Sequence, residues 1–252
     1  DPTYSMYPEY ARDTLTEWRA IPRRTDFTID VAASCAAIAA LTPAVVLLAS
    51  PNNPTGTALT LDEIRAIAAA ARGAGPEGAD TVVVIDEAYG EFRREQTPSA
   101  LSLRGEYPHL VVSRTMSKAF GMAGLRLGYL AAHTEIVAAL TVVRLPYHLS
   151  AFTQAVARAA LSHAESLMAQ VAALRTERDR LVTWLDENGF TPAPSDANFV
   201  LFGPVAERRR VWEELLARGI LIREVGPPGH LRVTVGTPDE MAAFRTALLE
   251  VR

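Results

Sequence analysis

Hydrophobic positions along the chain follow two regimes. Up to about residue 145, short apolar runs alternate with stretches of helical periodicity. Val31–Leu41 reads as a helix, Pro43 breaks it, and Val45–Ala49 is a buried strand closed by the turn formers Ser50-Pro51-Asn52-Asn53-Pro54-Thr55-Gly56. Leu61–Arg72 has helical spacing with Thr60 as N-cap, and Thr81–Ile85 is a strand ending at Asp86-Glu87. Leu110–Ser113 and Leu127–Ala131 are two more strands. Strands that are apolar throughout, rather than alternating, belong to a parallel sheet covered on both faces.

The pattern changes after Leu145-Pro146-Tyr147-His148. Ser150 to about Asn188 is one long amphipathic helical stretch, ended by Gly189. Short strands follow at Asn198–Phe202, Ile220–Arg223 and His230–Val235, with helices over Ala206–Arg218 and from Pro238. The expected fold class is α/β: a mostly parallel sheet sandwiched by helices over residues 1–148, then a linking helix and a smaller α+β domain over 149–252.

Composition narrows the functional classes. With 252 residues, 49% hydrophobic and 21% charged, the chain is neither disordered nor collagen-like. A net charge of −4 leaves no basic excess for nucleic acid. Cys35, the single cysteine, forms no internal disulfide, and no cysteine cluster or histidine spacing provides a metal site. A reducing cytoplasm fits. Val31–Ala49 is uncharged and near membrane-spanning length, but it is alanine-rich and divided by Pro43, so no membrane span is expected. The opening DPTYSMYPEY at Asp1 reads as the interior of a domain, so further chain upstream is expected.

Among the 25 basic residues only Lys118 is lysine. Arginine-biased codon usage explains most of that skew, yet a lysine needed as an amine could not follow it, because guanidinium stays protonated. Three chemically loaded segments end predicted strands, where ligands of open parallel sheets sit: Ser50–Gly56, Asp86-Glu87-Ala88-Tyr89, and Ser113-Arg114-Thr115-Met116-Ser117-Lys118. Alone, each has an ordinary explanation as a turn or cap. Together they meet the needs of pyridoxal 5'-phosphate. Lys118 offers the amine, Asp86 a partner for the pyridine nitrogen, and Asn53 and Tyr89 donors to the phenolate oxygen. Ser117 and Arg126 offer a phosphate grip.

The segments SPNNPTG, VVVIDEAYGEF, SRTMSKAFGMAGLRLGY and HLRVTVGTPDE resemble the fold-type I pyridoxal-phosphate aminotransferases of the aspartate aminotransferase superfamily. Within it, PTYSMY, DEAYGEF, PYHLS, ANFVLF and ILIREVG resemble the histidinol-phosphate aminotransferase family. The resemblance implies catalytic roles for Lys118, Asp86 and Tyr89, with Lys118 moving the proton between substrate Cα and cofactor. It further implies that Tyr4 stacks on the cofactor ring and that Thr115 joins Ser117 and Arg126 at the phosphate. Arg232 would grip the substrate anion, assisted by Arg223. Glu87 is expected to matter less than Asp86, and Arg223 could instead pair with Glu224.

The implied substrates are glutamate/2-oxoglutarate and histidinol phosphate/imidazole-acetol phosphate, a phosphorylated imidazole amino alcohol and its ketone. The implied assembly is a homodimer. Members of the family extend further at their N-terminus, where a loop adds phosphate contacts and a tyrosine enters the partner's site. Three other activities stay open: an aromatic amino acid aminotransferase, a pyridoxal-phosphate-dependent decarboxylase of a phosphorylated amino acid, and a truncated, non-catalytic cofactor-binding piece.

Overall fold

In the computed structural model, which describes residues 1–252, β1 (Val45–Ala49), β2 (Val82–Asp86) and β3 (Leu110–Thr115) run parallel. β4 (Gly128–Ala131) lies antiparallel to β3, giving the order β1-β2-β3-β4. Valine, isoleucine and leucine dominate β1, β2 and β3. The sheet, expected to be covered on both faces, is buried at β2 and β3 but exposes Val45 of β1 and Tyr129 and Leu130 of β4. The register sets Ala49, Asp86 and Ser113 side by side, so the turns after β1 and β2 leave the sheet at one level while β3 continues two residues further, to Thr115.

Local sequence explains most of the helices. α1 (Tyr7–Asp13) carries Pro8 in its first turn. α2 (Val31–Leu41) starts where the Asp30 carboxylate accepts from Ala33 N, and it ends at Thr42 in the left-handed region. α3 (Leu61–Ala70) begins with a reciprocal Thr60–Glu63 capping box. α2 and α3 pack on the sheet through Ile38, Ile64 and Ile67 against Val83, Ile85 and Val112.

α4 (Thr134–Val143) follows β4, and α5 (Ala151–Ser162) and α6 (Ala164–Glu187) follow in turn. A second sheet of order β5-β6-β7 comprises β5 (Thr191–Pro192), β6 (Phe199–Gly203) and β7 (Leu231–Thr234), all antiparallel. α7 (Arg208–Ala217) and α8 (Pro238–Val251) pack with α6 over it, around Leu185, Phe202, Leu215, Phe244 and Leu248.

Several boundaries differ from the sequence reading. The helical stretch from Ser150 is two helices that break at His163. Ile220–Arg223 is no strand: Leu221 is exposed, and only Arg223 bridges to Arg232. α7 starts two residues later than expected, because Glu207 takes a left-handed conformation. Helices α1 and α4 were not anticipated.

Both lateral edges of the first sheet are open, since β1 pairs only with β2 and β4 only with β3. Beside β1 lies a cavity of about 620 Å³, bounded by Tyr7, Trp18, Ile21, Ile38 and Leu48. Beyond β4, α4 exposes Val137, Leu140 and Val143, with Val142 85% exposed. No helix is long and apolar enough to cross a membrane.

The second core is the more concentrated in large side chains. Leu185→Ala, at a position with no solvent exposure, is expected to cost about 2–5 kcal/mol of unfolding free energy in urea titration.

Candidate active site

Asp86 stands at the centre of the three emerging turns. Its Oδ2 accepts from the Tyr7 hydroxyl at 3.0 Å and its Oδ1 from Ala88 N at 3.0 Å. Tyr7 is 3% exposed, and burial, then the Asp86 charge, push its phenol well above the ordinary tyrosine range. It therefore stays protonated and donates. Tyr4 meets Tyr7 edge-on at 5.5 Å between ring centroids.

Beyond β3 the chain turns tightly. Ser117 N donates to Thr115 Oγ1 at 3.1 Å, the two hydroxyls lie 3.0 Å apart, and Gly121 N donates to Lys118 O. This turn presents the Lys118 amine 5.5 Å from the Tyr89 ring centroid. Burial, then the charges of Arg232 and Arg126, hold that amine below the usual lysine range, because neighbouring cations disfavour an ammonium. Burial also raises the Tyr89 hydroxyl.

The second sheet supplies the opposite wall. Phe199 of β6 packs edge-on against Tyr89 at 5.0 Å, and the Arg232 guanidinium lies 4.6 Å from the Phe199 ring centroid. Arg232 also donates to Asn53 Oδ1, which leaves Asn53 Nδ2 free as a donor. The Arg232 Nε is buried without a partner. Arg223 and Arg232 exchange two backbone hydrogen bonds of 2.9 Å. Glu224 does not take Arg223, because Arg208 and Arg209 occupy it at 3.1 and 2.8 Å. Neither Arg126, Arg223, Arg232 nor Lys118 makes an ion pair with a carboxylate of the chain. Such a cluster suits a multiply charged anion.

The two sheets are joined at this cleft. Asp196 N donates to Gly56 O at 2.8 Å, and Gly56 has a positive φ of 81° with the Ser195 side chain filling the place of a Cβ. Only glycine serves there.

Of the residues singled out from sequence, Lys118, Tyr89, Asn53 and Arg232 come together, with Arg126 close enough to act on the amine and Arg223, exposed, close enough to act on Arg232. Asp86 and Tyr4 approach it through Tyr7. Thr115 and Ser117 form the turn beneath it. Tyr7 and Phe199 escaped the reading. Tyr7 lies three residues after Tyr4 in PTYSMY, at the first position of α1, and Phe199 lies within ANFVLF. Glu87, expected to matter less than Asp86, is 1% exposed and accepts from Ser99, Ala100, Arg93 and Arg114.

The family described as Aminotransferase class I and II matches residues 1–248. A histidinol-phosphate aminotransferase of Thermobifida fusca is 62% identical over 249 residues, covering 99% of this chain and 66% of that protein. Histidinol-phosphate aminotransferase 3 of Burkholderia lata is 56% identical over 250 residues, 99% of this chain and 65% of that protein. The chain thus spans about two thirds of the length of these curated relatives. The crystal structure of histidinol-phosphate aminotransferase from Sinorhizobium meliloti in complex with pyridoxal-5'-phosphate superposes with a TM-score of 0.86 at 27% identity. It covers 99% of this chain and 68% of that one.

With one lysine in the chain, amine acylation followed by peptide mapping separates Lys118 from the N-terminus. Its half-point is expected below the ordinary lysine value of about 10.4. Arg232→Gln removes a repelling cation and should move that half-point upward; an unchanged half-point would deny the coupling.

Proposed function

The chain belongs to the class I and II aminotransferases, and from that premise we propose that it exchanges an amino group between glutamate/2-oxoglutarate and histidinol phosphate/imidazole-acetol phosphate. The observation that carries this reading is the unpaired cation set around the single lysine, which suits two anionic substrates and an anionic cofactor. The names of the relatives at 62% and 56% identity support the choice of substrates.

The residues present fit pyridoxal phosphate. They offer one amine held below its usual range, a carboxylate already accepting a phenol, a buried guanidinium nitrogen without partner, and paired hydroxyls in the turn before the amine. In this reading Lys118 would hold the cofactor aldehyde and Asp86 its ring nitrogen. Asn53 Nδ2 and the Tyr89 hydroxyl would donate to its phenolate oxygen, Tyr4 would stack on the ring, and Thr115, Ser117 and Arg126 would bind its phosphate. When bound, that cofactor supplies an electron sink for the charge left as the substrate Cα–H bond breaks.

The chain's own groups do the rest. The Lys118 amine, neutral at lower pH than an ordinary lysine, takes the proton from Cα and returns it. Arg232 orients the substrate by its carboxylate or phosphate, and its own place is fixed by Asn53 and Phe199. Arg223, free of Glu224, adds a second guanidinium for the more highly charged phosphate. Tyr7 holds Asp86 in place by donating to one carboxylate oxygen. Residues 1–148 act as the cofactor-binding domain and 149–252 as the smaller domain that brings the substrate arginines. A cytoplasmic homodimer belongs to the same reading, and the exposed apolar face of α4 supports an assembled state.

Borohydride reduction in the presence of pyridoxal phosphate should fix pyridoxyl mass on the Lys118 peptide, and absence of label would sink the assignment. Lys118→Arg should slow the glutamate half-reaction by about 10²–10⁴-fold or more, since the proton carrier is gone. Conversion of the bound cofactor by glutamate alone separates a transferase from a decarboxylase or a non-catalytic binder.

Stopped-flow half-reactions resolve the arginines. Arg232→Ala is expected to impair both substrates. Arg223→Ala should cost roughly 1–3 kcal/mol more with histidinol phosphate than with glutamate, and equal losses would refute phosphate selectivity at Arg223.

A further inference from the structure

Asp86 and Glu87 are consecutive, so their side chains leave the end of β2 on opposite sides. Asp86 faces the candidate site. Glu87 enters a buried cluster beneath it. Its Oε2 accepts from Arg114 Nε at 2.9 Å, Arg114 Nη2 at 2.6 Å and Ser99 Oγ at 2.8 Å. Its Oε1 accepts from Ala100 N at 2.8 Å and Arg93 Nη1 at 3.1 Å. Arg114 further holds Glu91 at 2.9 Å and Ser99 Oγ at 3.1 Å, while Arg93 Nε donates to Gly90 O at 2.8 Å. Two carboxylates therefore face two guanidiniums. Gly90 is drawn in as well: a Cβ there would come within 3.1 Å of the Arg114 guanidinium.

The placement of the two partners matters more than their burial. Glu87 follows Asp86 directly. Arg114 is in β3, three residues before Ser117 and four before Lys118. The ion pair therefore ties together the two strand ends that carry the central carboxylate and the single amine. Buried ion clusters contribute little net stability over apolar packing of the same volume, whereas their directional hydrogen bonds fix geometry. We propose that Glu87 and Arg114 are positioning residues, whose pairing sets the separation and roll of the β2 and β3 ends and hence the distance from the Asp86 carboxylate to the Lys118 amine. The consequence for a bound cofactor rests on the aminotransferase reading; the consequence for Lys118 itself does not.

Two charge-conserving variants isolate geometry from charge. Glu87→Asp withdraws the carboxylate by one methylene, and Arg114→Lys replaces the planar fork by a point charge. The first readout needs no cofactor: the half-point of Lys118 acylation should move up toward the ordinary lysine value in both variants. The second uses added pyridoxal phosphate, whose affinity should fall roughly tenfold and whose bound absorbance should change its pH midpoint by about one unit or more. Leu185→Ala, destabilised in the other core, should leave the half-point and the midpoint where they are. Folded Glu87→Asp and Arg114→Lys proteins with the parent half-point, affinity and midpoint would overturn the proposal. So would equal shifts in Leu185→Ala, and failure of both variants to fold would assign the cluster to stability alone. A parent chain that takes up no pyridoxal phosphate would instead defeat the aminotransferase reading, leaving the acylation test of the pair intact.

Discussion

The parallel register that sets Ala49, Asp86 and Ser113 abreast is the constraint on which the chemistry depends. Side chains alternate along a strand, so a one-residue slip of β2 would exchange the faces of Asp86 and Glu87. The carboxylate that accepts from Tyr7 would then sink among Arg93 and Arg114, and the one they hold would stand in the cleft. Apolar valines and isoleucines on both faces of β2 resist such a slip only weakly, because either face accepts them. The asymmetry lies in the polar ends, where each carboxylate has partners suited to one side only. Fold and site are thus specified by the same few residues.

Electrostatics divides the molecule in a second way. Outside the site many arginines find carboxylates, among them Arg208 and Arg209 on Glu224, Arg210 on Glu207 and Glu214, and Arg245 on Glu177, while others such as Arg72 and Arg104 donate to backbone carbonyls instead. Within it, Arg126, Arg223 and Arg232 do not. In a chain of net charge −4, Lys118 thus has two cations, Arg232 and Arg126, as its charged neighbours. The fixed contacts of Arg232 with Asn53 and Phe199 orient part of that charge before anything binds.

Much of this was legible in the sequence. Val31–Leu41 and Val45–Ala49 were read to the residue because Asp30, Pro43 and Ser50 punctuate them. Lys118 stood out because arginine replaced lysine everywhere else, and the strand-end rule placed Asn53, Asp86 and Tyr89 with it. The partners of Glu87 are not legible for a physical reason: alternation says that it leaves on the side opposite Asp86, but not whether arginines wait there. That depends on Arg114, 27 residues away, and on Ser99. The competition for Glu224 was equally invisible, since Arg208 reaches it only because α7 begins beside the turn before β7. Ile220–Arg223 has strand composition, yet it bridges β7 only at Arg223.

The open sheet edges carry a consequence of another kind. β1 and β4 each end the ladder with unpaired peptide groups, and neither strand contains a lysine or proline of the sort that blunts an edge. α4 adds a nearly uncharged, solvent-facing surface next to β4. Repulsion from a net charge of −4 is modest. In the first sheet, β1 and β4 are therefore the two places where a further strand could add.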